Sequence, residues 1–351
     1  MNTKTYFHRV NEQTPTRFWI NNVTRNEADM AIAAGAIGCT QNPSYTWKMM
    51  NDTQEKDHVL RILDQILSHE PDNNEALVIL QRDLVAKISE HFLPMYHESN
   101  GKRGYVSIQG DPFHEDVDTI VRHARFNCAA GPNIMAKIPV TKEGLEAIAI
   151  LAAERIPINA TEVMAVKQAI DVCEVYTDAI KGLKDPAPIY FSHITGIYDE
   201  YLQKTVASQN IDISSDTLWQ AGISIAKKVY AMVHEKSYPV GFIGGGARGL
   251  HHFTEMVGAD CNITINWLGC ADELIKQDPP VVQHFLRPTP DSVINELLEK
   301  VDDYRKGYLL NAISAEEYEH FGPVVHFRVS FEKAWQNALN LISDRRLVIS
   351  K

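Results

Sequence analysis

The sequence predicts an α/β fold, a (β/α)8 TIM barrel carrying a helical insertion and a helical C-terminal extension. Short β-like runs alternate with helix-like stretches along most of the chain, the pattern of parallel α/β architecture. Eight such strand–helix pairs fall within roughly 270 residues, the size of one barrel of this kind. A doubly wound open sheet would need a glycine-rich turn after its first strand. Here the glycines of Gly244-Gly245-Gly246-Ala247-Arg248-Gly249 arrive only after the seventh.

Strands are expected at residues 17–22, 36–42, 104–110, 133–140, 157–163, 188–195, 239–245 and 261–267. The fourth, Asn133-Ile134-Met135-Ala136-Lys137-Ile138-Pro139-Val140, is a short apolar run that reads as a buried strand. Helices are expected over 25–34, 143–154, 164–176 and 216–234, where apolar residues recur at spacings of three and four. Residues 48–99 exceed the bare repeat: their periodicity is helical, with a break at Pro71-Asp72-Asn73-Asn74, and they form an insertion between strands two and three. Residues 288–351 are expected to form two or three helices packed on the outside of the barrel. The chain, 1–351, is thus read as a single barrel domain, with no internal repeat or low-complexity linker.

Composition narrows the function. Hydrophobic residues make up 44% and charged residues 23%, as in a globular protein. A formal net charge of -11 repels phosphate backbones, so neither nucleic acid nor a membrane surface is an expected partner. An anionic small substrate would need its own cluster of positive charge. The cysteines, Cys39, Cys128, Cys173, Cys261 and Cys270, have neither the paired spacing of a zinc site nor the density of a disulfide framework, and such a scattered set fits a reducing compartment. The first ten residues lack the apolar core of a signal peptide, and no apolar run approaches the ~18 residues of a membrane span. A cytoplasmic location is expected; a homo-oligomer is left open.

Lys137 carries the chemistry. Moving an ammonium out of water is costly, so a lysine inside an apolar run lowers its pKa or finds a partner. A neutral amine attacks carbonyls, and the functional reading is a Schiff-base lysine activated by desolvation. The competing reading is an edge-strand lysine whose stem packs while its head reaches solvent. In a barrel, chemistry comes from the C-terminal ends of the strands. There the sequence places Asn21, Thr40, Asn42, Gln109, Asn159, Thr161, Ser192 and Arg248. Asn42, Asn159 and Ser192 suit substrate hydroxyls, and Gln109 and Thr161 can hold a water. Arg248 and the N–H groups of the glycine-rich loop can take an anionic tail such as phosphate. Taken singly, each has a plainer reading: Asn42-Pro43 is a turn signal, and Thr161 and Ser192 can be satisfied within the sheet. His251 and His252 are expected at the surface. No cofactor and no metal is called for.

These residues resemble the transaldolase family, class I aldolases on a (β/α)8 barrel, including its fructose-6-phosphate aldolase-like subfamily. Gly38-Cys39-Thr40-Gln41-Asn42-Pro43-Ser44 is similar to the family's strand-two signature, and Ile134 to Ile148 to its Schiff-base lysine region. Ile156-Pro157-Ile158-Asn159-Ala160-Thr161, followed by Gln168-Ala169, fits the next strand. The resemblance implies that Lys137 is the Schiff-base lysine, and that Gln109, where transaldolases have a glutamate and the aldolase-like subfamily a glutamine, holds the catalytic water with Thr161. It implies substrate contacts for Thr40, Asn42, Asn159 and Ser192, and a phosphate contact for Arg248. In three places the chain departs from the pattern. Asn21 stands where the family has a general acid/base aspartate, Ile197 where it has a second phosphate-binding arginine, and Gly246 where it has a phosphate-binding serine. His193 or a histidine after Arg248 would then assist the anion site. The activity implied is transfer of a three-carbon dihydroxyacetone unit from a phosphorylated ketose to an aldose. Release of free dihydroxyacetone, or sugar-phosphate binding without catalysis, are the alternatives.

Overall fold

The computed structural model describes residues 4–349. Eight strands, β1 (Arg17–Asn21), β2 (Ala36–Gln41), β3 (Val106–Gln109), β4 (Ile134–Pro139), β5 (Ile158–Val163), β6 (Ile189–His193), β7 (Gly241–Gly244) and β8 (Asn262–Asn266), close into a barrel in chain order. Every neighbouring pair is parallel, and β8 returns to β1. The (β/α)8 expectation holds, with each strand at or inside its expected limits.

Side chains alternate between the barrel interior and the surrounding helices. Trp19, Ile37, Tyr105, Met135 and Ile243 form an apolar floor toward the N-terminal ends of the strands. The remaining apolar residues form one larger core between strands and helices. Above the floor the interior turns polar.

The helix expected over 216–234 is two pieces, Ser215–Leu218 and Ala221–Glu235. Ser214 caps the first by accepting from the Thr217 N–H. Buried Asp199 accepts from the Gly222 N–H at 2.7 Å, which holds the start of the second. A distant carboxylate thus divides a run whose periodicity is continuous.

The tail also departs from expectation. Its last helix, Gly322–Ile349, does not pack on the barrel's outside: its Phe327, Ser330 and Phe331 line the same cavity as Lys137 at the C-terminal mouth. Phe327, Phe331, Ala334, Trp335, Ala338 and Ile342 form the buried stripe that seats it. The insertion holds it there. Arg345 pairs with Asp64 of the helix Lys56–Leu67 through two bonds of 2.7 and 2.6 Å. Trp335 donates to Asn74 of the helix Asn73–Glu98 at 2.8 Å, and Asn74 donates to Asp111 beyond β3 at 2.8 Å. Among the described residues, no helix is long and apolar enough to cross a membrane.

One glycine is demanded by the floor. A Cβ on Gly38 of β2 would lie 2.4 Å from the Trp19 ring, which is buried and hemmed in. Gly38→Ala is therefore expected to cost about 1–3 kcal/mol, measured by chemical denaturation, with an unchanged midpoint counting against this account of the floor.

Candidate active site

Lys137 sits on β4 with its neighbours in register: Gln109 of β3 on one side and Asn159 of β5 on the other. Only 8% of the residue is exposed. Burial lowers the pKa of its amine to about 8, while the negative charge of Glu162 pulls the other way. The Nζ lies 5.9 Å from the centre of the Phe331 ring, so the tail helix covers the amine. This is a buried amine in a closed barrel, which removes the edge-strand reading.

The amine opens into a cavity of 220 Å3. Of the residues singled out in the sequence, Asn21, Thr40, Asn42, Thr161, Ser192, Gly246 and Arg248 line it together with Lys137. Gln109 and Asn159 do not. Asn159 lies beneath the surface, donating to Ser107 Oγ at 3.1 Å and accepting from Ser192 Oγ at 2.7 Å, and so orients Ser192. Gln109 lies behind the lysine and donates to Glu162 Oε1 at 2.9 Å. The Oδ1 of Asn42 accepts from Asn22 at 3.0 Å and from the Ser44 hydroxyl at 2.6 Å, so the turn reading and a cavity position coexist.

Asn21 is fixed as an amide. Its Nδ2 donates to Asn266 at 2.9 Å and its Oδ1 accepts from Thr40 at 2.9 Å, with Thr264 2.7 Å from the same hydroxyl. Such a group has no proton to exchange at neutral pH.

At the far end, Arg248 Nε donates to Glu200 at 2.6 Å, and Lys204 bonds the same carboxylate at 2.7 Å. Burial pushes Glu200 up, but the hydrogen bonds from Lys204 and Arg248 outweigh it and hold the group at about 2. Gly246 has φ +68, and a Cβ there would lie 2.5 Å from Ile194 and 2.8 Å from Ile197. Isoleucine side chains thus occupy the space a residue larger than glycine would need.

The histidines are placed otherwise than expected. His193 does not line the cavity; it is fully buried, with its ring nitrogens on the carbonyls of Val163 and Gly222 at 3.0 and 3.1 Å. His252 is not at the surface: it is buried against Asp199, Nε2 to Oδ2 at 2.9 Å, and its Nδ1 accepts from the Arg248 N–H at 3.2 Å. The pair ties the glycine-rich loop to the helix Thr195–Gln209. Ligand atoms of Asp199, His251 and His252 lie within 4.8 Å of one another, yet those of Asp199 and His252 are engaged by the chain itself.

Several contributors escaped the sequence reading. Thr264 and Asn266 of β8 follow the inward alternation Asn262-Thr264-Asn266 and were legible. Phe331 comes from the tail, and no local signal places it. Glu162, fully buried with φ +63 where the β5–β6 register shifts, stands where simple alternation would turn it toward the helices.

Residues 18–301 match the family described as Transaldolase/Fructose-6-phosphate aldolase. A transaldolase of Acidothermus cellulolyticus is 30% identical over 240 residues, 62% of this chain and 62% of that protein. Transaldolases of Mycobacterium tuberculosis H37Rv and Mycobacterium bovis BCG Pasteur are each 24% identical over 236 residues, 62% of this chain and 61% of theirs. The match therefore spans about three fifths of the length of these curated relatives. With a family match across most of its length and a barrel that sets a buried lysine in register between Gln109 and Asn159, the chain belongs to the Transaldolase/Fructose-6-phosphate aldolase family.

Proposed function

We propose that this protein is a class I aldol enzyme of the transaldolase type, moving a three-carbon dihydroxyacetone unit from a phosphorylated ketose to an aldose through a Schiff base on Lys137. The observation that carries the reading is the desolvated amine of Lys137 at the base of a polar cavity. Its nitrogen attacks the ketose carbonyl to give a carbinolamine, which loses water to an iminium. The iminium accepts the electrons of the C–C bond one carbon away as the aldehyde leaves, the hydroxyl proton of the departing carbon passes to solvent in the cavity, and the resulting enamine attacks the acceptor aldose. Ser192, held by Asn159, and the amide of Asn42 supply neutral partners for the substrate hydroxyls. Phosphate would meet Arg248, which must first leave Glu200. Five free cysteines support a cytoplasmic setting.

A second reading, ligand binding without turnover, is favoured by Asn21. C–C cleavage needs an acceptor for the hydroxyl proton, and no carboxylate lines the cavity among the described residues. Plain release of dihydroxyacetone is distinguished by whether turnover needs an acceptor aldehyde.

The test is intact-protein mass after borohydride reduction with fructose 6-phosphate or dihydroxyacetone. A three-carbon adduct on the wild type, absent from Lys137→Ala, is expected; no adduct with any ketose would sink the proposal. Loss of the proton frees the amine for attack, so the trapping rate is expected to rise with pH through about 8 rather than toward the ordinary lysine value of 10.5.

The same burial has a stability cost. Between pH 8 and 10.5 the unfolded chain holds a proton that the folded one has released, so stability rises with pH across that window. Lys137→Met is expected to gain up to roughly 3 kcal/mol at pH 7, and the gain should shrink above pH 8; urea unfolding at two pH values checks it. Glu200→Gln should release Arg248 and lower KM for the phosphorylated ketose about tenfold, leaving dihydroxyacetone trapping unchanged, as read from steady-state rates and adduct yields.

A further inference from the structure

A carboxylate stands behind Lys137 that none of these roles uses. Glu162 is fully buried and does not line the cavity. Its backbone adopts φ +63, a conformation that side-chain-bearing residues enter rarely and at a cost. Its Oε1 accepts from Gln109 Nε2 at 2.9 Å, and its Oε2 has no hydrogen-bond donor. Gln109 is itself the register partner of Lys137; Glu162 stands three positions beyond Asn159, the partner of Lys137 on β5, and its side chain meets the Gln109 amide. A neutral amide holds the carboxylate in place without cancelling its charge.

The charged groups facing Glu162 come from β4, from the tail helix and, with Glu115, from the loop after β3. Lys137 lies on β4. From the tail helix come Arg328, whose Nε is 4.0 Å from Glu162 Oε2, and Glu332. Arg328 is shared with Glu115 at 3.3 Å and Glu319 at 3.4 Å, so it cannot neutralise all the carboxylates around it. Burial raises the Glu162 pKa above the ordinary carboxylate value, and Arg328, Gln109 and Lys137 offset that rise only in part.

Iminium formation places a cation here. A neutral amine, a carbonyl and one proton from the cavity become an iminium cation and one water; the new C=N bond replaces the C=O bond, and hydrolysis returns each atom. The iminium still bears an N–H, and loss of that proton would leave a neutral imine, a far weaker electron sink, so the site must keep the cation protonated. A cation in that apolar surrounding needs a nearby negative charge. We propose that Glu162 is the counter-ion of the Lys137 iminium, a positioning residue that sets the charge balance of the site through Gln109 from outside the substrate cavity. This rests on the Schiff-base reading above.

The experiment measures borohydride-trapped dihydroxyacetone adduct from pH 6 to 10 on wild type, Glu162→Gln and Glu162→Asp, with circular dichroism confirming each fold. In Glu162→Gln the pH midpoint of trapping is expected to fall by about one unit, since Lys137 loses the charge that supports its protonated form. Above that midpoint, where the amine starts neutral, the equilibrium yield should fall about tenfold, equivalent to the loss of one such pKa unit of charge stabilisation. Glu162→Asp, which keeps the charge, should retain the wild-type midpoint. If Glu162→Gln does not fold, Glu162→Met, of similar volume and without a buried polar group, takes its place with the same expectations. A wild-type midpoint and yield in the uncharged variant overturn the counter-ion and leave the Schiff base standing. A lost yield with an unmoved midpoint, or a midpoint in Glu162→Asp matching that of Glu162→Gln, marks a structural role and overturns it as well. No adduct on the wild type overturns the Schiff-base reading and this inference with it.

Discussion

Keeping the amine of Lys137 out of water is the constraint on which the rest of the site depends. A lysine inside a strand would ordinarily thread its head to solvent, and three features stop it here. The closed barrel leaves no sheet edge, the neighbouring strands present polar groups at its own level, and the tail helix lays Phe331 over the top. The resulting desolvation costs stability and gives reactivity, a trade common where function requires an unfavourable charge state.

The insertion and the tail extend that constraint. The helix Asn73–Glu98 packs on β2 and β3, and with Lys56–Leu67 it anchors the last helix across the mouth through Arg345, Trp335 and the stripe beneath them. Segments on either side of β3 and at the end of the chain thus cooperate to cover one side chain. The same helix brings Arg328 over the Glu162 carboxylate, so the cover also sets the electrostatics behind the lysine.

The distal end of the cavity has a different character from its base. Near Lys137 the polar groups are neutral amides and hydroxyls, with Asn21 locked between Thr40 and Asn266. Farther out, Ile194 and Ile197 crowd Gly246, and the guanidinium of Arg248 that lines the cavity is already paired with Glu200. His252 and Asp199 give the glycine-rich loop a buried anchor, so its shape is set by the scaffold before any ligand arrives.

What the sequence determined by itself was whatever local pattern controls. Short β-like runs placed the strands and the barrel, spacings of three and four placed several of the helices, and an amine inside an apolar run marked Lys137. Strand-end polarity marked much of the polar cavity lining for the same reason, since residue type and strand position both lie in a few consecutive letters. The tertiary structure decided what depends on distant groups. Asp199 split a continuous helical run, the insertion drew the tail over the mouth, and His252 went inward to a carboxylate on another helix. Glu162 is the clearest case. Its role turns on a positive φ and on partners from β3 and the last helix, and nothing in the letters beside Thr161 encodes either one.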